Sequence, residues 1–114
     1  MQAVYILSGV RTPIGKFGGA LASLTAADMG VVAAKAAMER AGVQPEQVEE
    51  SIIGNARQAG GGPNVARQIS VRSGVPQAVP AFTVNKACAS GMKDRKSTRL
   101  NSSHRIPSRM PSSA

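Results

Sequence analysis

The order of apolar and polar positions divides residues 1–93 into short, well-punctuated segments. Ala3-Val4-Tyr5-Ile6-Leu7 is an unbroken apolar run with β-branched and aromatic members, closed by Ser8-Gly9, and predicts a buried first strand. From Val10 to Leu24 the glycines Gly15, Gly18 and Gly19 together with Pro13 erase any helical or strand period, so Arg11, Thr12 and Lys16 are expected on a loop. Thr25 is a good N-cap with Asp28 three residues on, a capping-box spacing, and a helix is predicted from there to Ala41, where Gly42 supplies the stop. On that helix Asp28, Lys35 and Glu39 share a stripe, while Met29, Val32, Ala33 and Ala36 line the other side, an alanine-rich face suited to close packing on a sheet.

Pro45 opens a short helical turn through Val48, and Ser51-Ile52-Ile53-Gly54 reads as a second strand. Gly60-Gly61-Gly62-Pro63 is a flexible loop that does not match a phosphate-binding P-loop. Asn64 is expected to cap a second helix from Val65 to about Ser73, ended by Gly74 and Pro76, and Ala81-Phe82-Thr83-Val84 is the third strand. The order β-α-β-α-β, with spacings that suit crossover connections, predicts an α/β fold with a mainly parallel sheet. In such sheets chemistry gathers at the carboxyl ends of strands.

Composition adds two restrictions. Tyr5, Phe17 and Phe82 are the only aromatic residues, so any core relies on Ala, Val, Ile and Met, and 114 residues make at most one small domain. One cysteine excludes an internal disulfide, and with a single histidine, His104, there is no Cys/His set at metal-ligand spacing. The N-terminus lacks the features of a secretory signal and no run approaches the ~18 apolar residues of a membrane span, so a cytoplasmic location is expected, with no membrane partner. The net charge of +8 is unevenly placed: residues 1–93 carry +4, and residues 94–114 carry the other +4 in under a fifth of the length.

The strongest chemical signal is that lone cysteine. Cys88 stands just past the third strand, within Asn85-Lys86-Ala87-Cys88-Ala89-Ser90-Gly91-Met92-Lys93, where small residues open a helix. A helix N-terminus presents unpaired N–H groups and a partial positive charge, which favour a thiolate over a thiol. The bland alternative is a small buried hydrophobe, the commonest role of an unpaired cysteine. Lys86 could assist the thiolate, and Arg11, Arg57, Arg67 and Arg72 could bind an anionic nucleotide group, although solvation or subunit contacts explain each of them more simply.

Three blocks taken together, VRTPIGKFGG (Val10 to Gly19), GGGPNVARQ (Gly60 to Gln68) and NKACASGMK (Asn85 to Lys93), resemble the N-terminal part of the thiolases, the acetyl-CoA acetyltransferases and 3-ketoacyl-CoA thiolases, in order and in register. The resemblance implies a partial thiolase-like fold truncated at the start of the nucleophile helix. It also implies that Cys88 is the acyl-thioester nucleophile. Coenzyme A and acetyl-CoA would be substrates with no bound cofactor, and the full-length enzyme would be a dimer or tetramer. Ala89 departs from the glycine usual there, a small change. The histidines, asparagine and second cysteine that complete the family's chemistry have no counterpart here, and the coenzyme-binding residues are likewise unassigned. The chain as written is therefore expected to be an inactive fragment.

From Asp94 the composition changes abruptly, to DRKSTRLNSSHRIPSRMPSSA, and no helix is expected to continue past Lys93. Back-translated, DRKSTRLNSSH and RMPSSA fit the two ends of a common sequencing-library adapter, so residues 94–114 are expected to form a disordered, artefactual tail. Two alternatives differ in kind. Arg95, Lys96, Arg99, Arg105 and Arg109 among serines could form a nucleic-acid-binding arm, though without an aromatic to stack on bases. A related condensing synthase is the other.

Overall fold

The computed structural model describes residues 3–97. Helix α1 spans Ala26–Ala41, a single 3-10 turn Pro45–Gln47, strand β1 Ser51–Gly54, helix α2 Val65–Arg72 and strand β2 Ala81–Val84. Residues 90–97 form a further helix, α3. The two strands pair in parallel, Ser51 with Ala81 through Gly54 with Val84, and α2 connects them. This is the α/β, parallel-sheet architecture expected from the sequence. Among the described residues no helix is long and apolar enough to cross a membrane.

Local chemistry explains the best-defined element. The Asp28 N–H donates to Thr25 Oγ1 at 3.1 Å and the Thr25 N–H donates to Asp28 Oδ2 at 2.9 Å, a complete capping box. At the other end Gly42 adopts φ 68° and its N–H closes the last turn on Glu39 and Met38 carbonyls. The buried stripe is Ala27, Val31 and their neighbours, which differs from the predicted one: Val32, assigned inward, is 63 % exposed. Gly30 decides this. It lies against Ile69 of α2 so closely that a Cβ there would overlap that side chain, and only the Ala27–Gly30–Ala34 face allows such an approach. Helix α1 therefore packs on α2, and the small core of Ala27, Val65 and Ile69 is backed by Ala34 and by Ile53 of β1.

The first predicted strand is not formed. Residues 3–7 have no regular secondary structure and pair with no strand among the described residues, and Tyr5 and Ile6 are 78 % and 82 % exposed. An apolar run becomes a strand only when another edge satisfies its N–H and C=O groups, and no described edge does so here. Just after this stretch, Ser8 Oγ donates to the Ala37 carbonyl at 2.8 Å. The observed order is accordingly α-β-α-β-α.

Asn64 precedes α2 as predicted but does not cap it with its side chain. Its Nδ2 donates to the Ala81 carbonyl and its Oδ1 accepts from Thr83 Oγ, while Thr83 Oγ1 accepts the Ala66 N–H at 3.0 Å. The cap comes from β2, across the fold. The last correction concerns the chain beyond Lys93, where helix was not expected: α3 continues through residues 94–97, and the Asp94 carboxylate accepts from the Gly54 N–H at 3.2 Å. The remainder of the tail, with His104, Arg99, Arg105, Arg109 and the expected disorder, lies outside the described residues.

Candidate functional site

Cys88 lies between the end of β2 and the start of α3, as a free and exposed thiol. The helix begins at Ser90, so the cysteine sits in a tight turn ahead of α3. That turn depends on one unusual backbone conformation. Ala87 adopts φ 48°, a left-handed value that a residue with a Cβ reaches at about 1–2 kcal/mol.

Four side-chain hydrogen bonds surround that conformation. Asn85 Oδ1 accepts the Ala87 N–H at 2.9 Å, and Asn85 Nδ2 donates to the Ala56 carbonyl at 3.1 Å, tying the turn to the loop after β1. Ser90 Oγ accepts the Lys86 N–H at 2.9 Å and donates to the Ala87 carbonyl at 2.8 Å. Two backbone bonds, Ala89 N–H to Lys86 and Ser90 N–H to Ala87, close the turn. Ser90 is 5 % exposed although its neighbours on both sides are open to solvent.

Gly54 makes room for this arrangement. A Cβ on Gly54 would lie 2.7 Å from the carbonyl carbon and oxygen of Ser90 and 2.9 Å from the Gly91 nitrogen, all of them backbone atoms that cannot swing away. The last residue of β1 thus lets the first turn of α3 rest directly on the sheet end. Its N–H binds Asp94, whose carboxyl is pushed above its ordinary value of 3.8 by burial, against the opposing pull of the Gly54 N–H and Arg95. The neighbouring Asn55 donates its backbone N–H to Val84, 3.0 Å, and its Nδ2 is enclosed without a hydrogen-bond partner among the described residues.

Beside the turn a shallow groove of about 380 Å³ is lined by Lys86, Ala89, Met92, Lys93 and Lys96. It combines the apolar Ala89 and Met92 with three cationic side chains, and it adjoins Cys88 in the chain through Ala89. Of the other cations considered from sequence, Arg72 forms a 2.8 Å ion pair with Asp28, Arg67 donates to the Gln77 carbonyl and Arg11 to the adjacent Thr12 carbonyl. None of these three lines the groove. The Gly60–Gly62 loop is likewise occupied internally, with Gln68 Nε2 donating to the carbonyls of Gly61 and Pro63.

The chemistry this arrangement offers is that of an exposed thiol on a turn fixed by part-buried Ser90 and exposed Asn85 hydrogen bonds, at the carboxyl ends of two parallel strands. Sequence inspection identified Cys88 and its place after β2. It missed Ser90, Asn85 and Gly54, all of which lie near strand ends in the sequence but gain their roles only when β1 and α3 meet. The signal available was the density of small and polar residues immediately around the cysteine.

Comparison with known proteins agrees with that geometry. The model of the thiolase N-terminal domain matches residues 4–95. An acetyl-CoA acetyltransferase from Cupriavidus necator is 54 % identical over 93 residues, covering 82 % of this chain and 24 % of that protein. A Clostridioides difficile acetyl-CoA acetyltransferase sequence is 42 % identical over 105 residues, 92 % of this chain and 98 % of that sequence. The structure superposes on Acat5 thiolase from Ascaris suum in complex with coenzyme A with a TM-score of 0.84 at 44 % identity, covering 85 % of this chain and 25 % of the other. Human mitochondrial 3-ketoacyl-CoA thiolase in complex with CoA gives a TM-score of 0.82 at 36 % identity, again over 85 % and 25 %. The chain thus spans about a quarter of the length of most of these relatives.

Proposed function

Since this chain belongs to the thiolase family, whose N-terminal domain it matches over residues 4–95, we propose that it carries the acyl-accepting half of a thiolase site, with Cys88 as the nucleophile of an acetyl-CoA C-acetyltransferase. The observation that carries this reading is the Cys88 turn. The one cysteine of the chain is exposed on a constrained loop at the strand ends, and a groove lined by Lys86, Lys93 and Lys96 around the adjacent Ala89 suits a polyanionic thioester.

The step proposed for Cys88 is a thioester exchange. Its sulfur bonds to the carbonyl carbon of acetyl-CoA, the carbon–sulfur bond to coenzyme A breaks, and coenzyme A leaves as its thiol with the proton that the cysteine gives up. The acetyl group then passes to a second acceptor, coenzyme A itself or the enolate of another acetyl-CoA. Coenzyme A and acetyl-CoA are thus substrates, and no bound cofactor is invoked.

A positioned general base contributes typically 10²–10⁴-fold to such a step, and no histidine lies among the described residues. The isolated chain is accordingly proposed to take an acetyl group without sustained turnover. A homo-oligomer is the proposed assembly, in keeping with the exposed apolar side chains of Tyr5, Ile6, Leu7, Ile14 and Phe17. A cytoplasmic location is proposed as well, supported by a relative from Gibberella zeae whose name calls it cytosolic.

The test is mass spectrometry of the chain after incubation with acetyl-CoA. One acetyl group on Cys88, absent in Cys88→Ser, is the expected result. Acetylation spread over lysines with none on Cys88 overturns the proposal.

A further inference from the structure

We infer that Ser90 is the positioning residue for Cys88: its hydroxyl holds Ala87 in the left-handed conformation and thereby sets the direction in which the thiol is presented. The inference rests on the proposed acyl-accepting role of Cys88, but the turn it describes is measurable without any thioester.

Ser90 Oγ bonds both sides of the strained residue, accepting from the Lys86 N–H and donating to the Ala87 carbonyl. Its single hydrogen is committed to that carbonyl and a lone pair to that amide, so both groups are satisfied in a place where the side chain itself is buried. Cys88 and Ala89 are the only residues between Ala87 and Ser90, whose side chain bonds back onto Lys86 and Ala87. Fixing Ala87 therefore fixes the backbone from which Cys88 departs. Asn85 supports the same residue from the other side by accepting its N–H. Gly54 presses the Ser90 backbone against the end of β1, which leaves the turn little room to relax.

A serine kept only for its small volume could be replaced by alanine without consequence for the thiol. A serine that enforces a left-handed residue could not, unless that residue were glycine, which adopts the conformation freely. The experiment therefore compares Ser90→Ala, Ala87→Gly and the double variant in the full 114-residue chain. Three quantities are followed: amide exchange at Lys86 and in α1, Cys88 acetylation by acetyl-CoA, and Cys88 alkylation by iodoacetamide.

Ser90→Ala is expected to raise Lys86 amide exchange about tenfold or more while α1 exchange is unchanged. Acetylation of Cys88 is expected to fall about ten- to a hundredfold relative to alkylation, as misplacement of a reacting atom does. Adding Ala87→Gly should restore the ratio to within about threefold of the wild type, since glycine no longer needs the hydroxyl. Additive effects, or a ratio that Ser90→Ala leaves unchanged, overturn the inference. If Ser90→Ala does not fold, a folded double variant supports it and an unfolded one overturns it. If the wild-type chain takes no acetyl group, the acyl-accepting reading fails, and the positioning of Cys88 is then judged by whether Ala87→Gly reverses the change that Ser90→Ala makes in the alkylation rate.

Discussion

The entrances to α1 and α3 solve the same problem in opposite ways. Each must begin a helix after an irregular segment and satisfy N–H groups that have no helical partner. At α1 the solution is local: Thr25 and Asp28 satisfy one another's backbone within four residues, and the pattern is visible in the sequence. At α3 the solution is assembled from three places, with Ser90 and Asn85 bracing the turn, Gly54 of β1 clearing the space and the loop carbonyl of Ala56 accepting from Asn85. The first entrance is built for stability. The second holds a residue at positive φ and exposes a thiol, so strain and the proposed nucleophile coincide.

The largest effect expected from breaking this contrast is at Gly54. A methyl group there meets backbone at 2.7 Å, so Gly54→Ala should destabilise the chain by roughly 3 kcal/mol or displace α3 from the sheet end. Thermal unfolding followed by circular dichroism, together with the rate of Cys88 alkylation, reads both consequences. A wild-type melting curve with an unchanged alkylation rate would show that α3 is not seated on β1.

Ile69→Ala is the control for the shared core. It removes the side chain wedged against Gly30 and should lower stability by about 2–4 kcal/mol while leaving the alkylation of Cys88 in the folded protein as it was. A changed thiol reactivity would mean that the two entrances are coupled through the core.

Thr25→Ala touches only the α1 entrance. The loss of a capping side chain predicts about 1 kcal/mol in denaturant unfolding with no change at the cysteine. Ala87→Gly acts only at the other entrance and in the opposite sense, with a gain of roughly 0.5–1 kcal/mol from relieving the left-handed alanine, offset in part by the freedom of glycine in the unfolded chain. Destabilisation by Ala87→Gly would refute strain at that position.

The smallest effect is electrostatic. Asp28 is held below its ordinary value of 3.8, chiefly by the Thr25 N–H and then by Arg72, so its contribution to stability is present above pH 3.8 and is lost as the pH falls through the lower folded value. Asp28→Asn should therefore flatten the acid end of the stability profile. Asp94 has the opposite sign: burial raises its value, so ionising it disfavours the fold as pH rises above 3.8, and Asp94→Asn should remove that slope. Chemical unfolding at several pH values separates the two.

Much of the block from Thr25 to Val84 was legible without a structure because its signals are short-range. Capping residues, glycine stops and four-residue apolar strands depend on neighbours a few positions away, and α1, β1, α2 and β2 lie where those signals put them. The failures are equally instructive. Residues 3–7 have the composition of a strand but no ladder partner, and composition cannot supply one. Val32 was assigned inward because it lies opposite the Asp28, Lys35 and Glu39 stripe, and only the contact of Gly30 with Ile69 shows which face α2 covers. Asn64 carries the residue type of a cap, yet its side chain is taken by β2.

By itself the sequence determined where the lone thiol lies and which family the chain belongs to, since both are carried by contiguous residues: Cys88 in its block after the third predicted strand, and three blocks in fixed order. Only the tertiary structure decided how that thiol is held. Gly54 and Ser90 stand 36 positions apart in the chain, and Asn85 and Ala56 stand 29 apart, so their contacts exist only once β1 and β2 have paired. Sheet pairing converts separations along the chain into contacts of about 3 Å, and no local propensity encodes them.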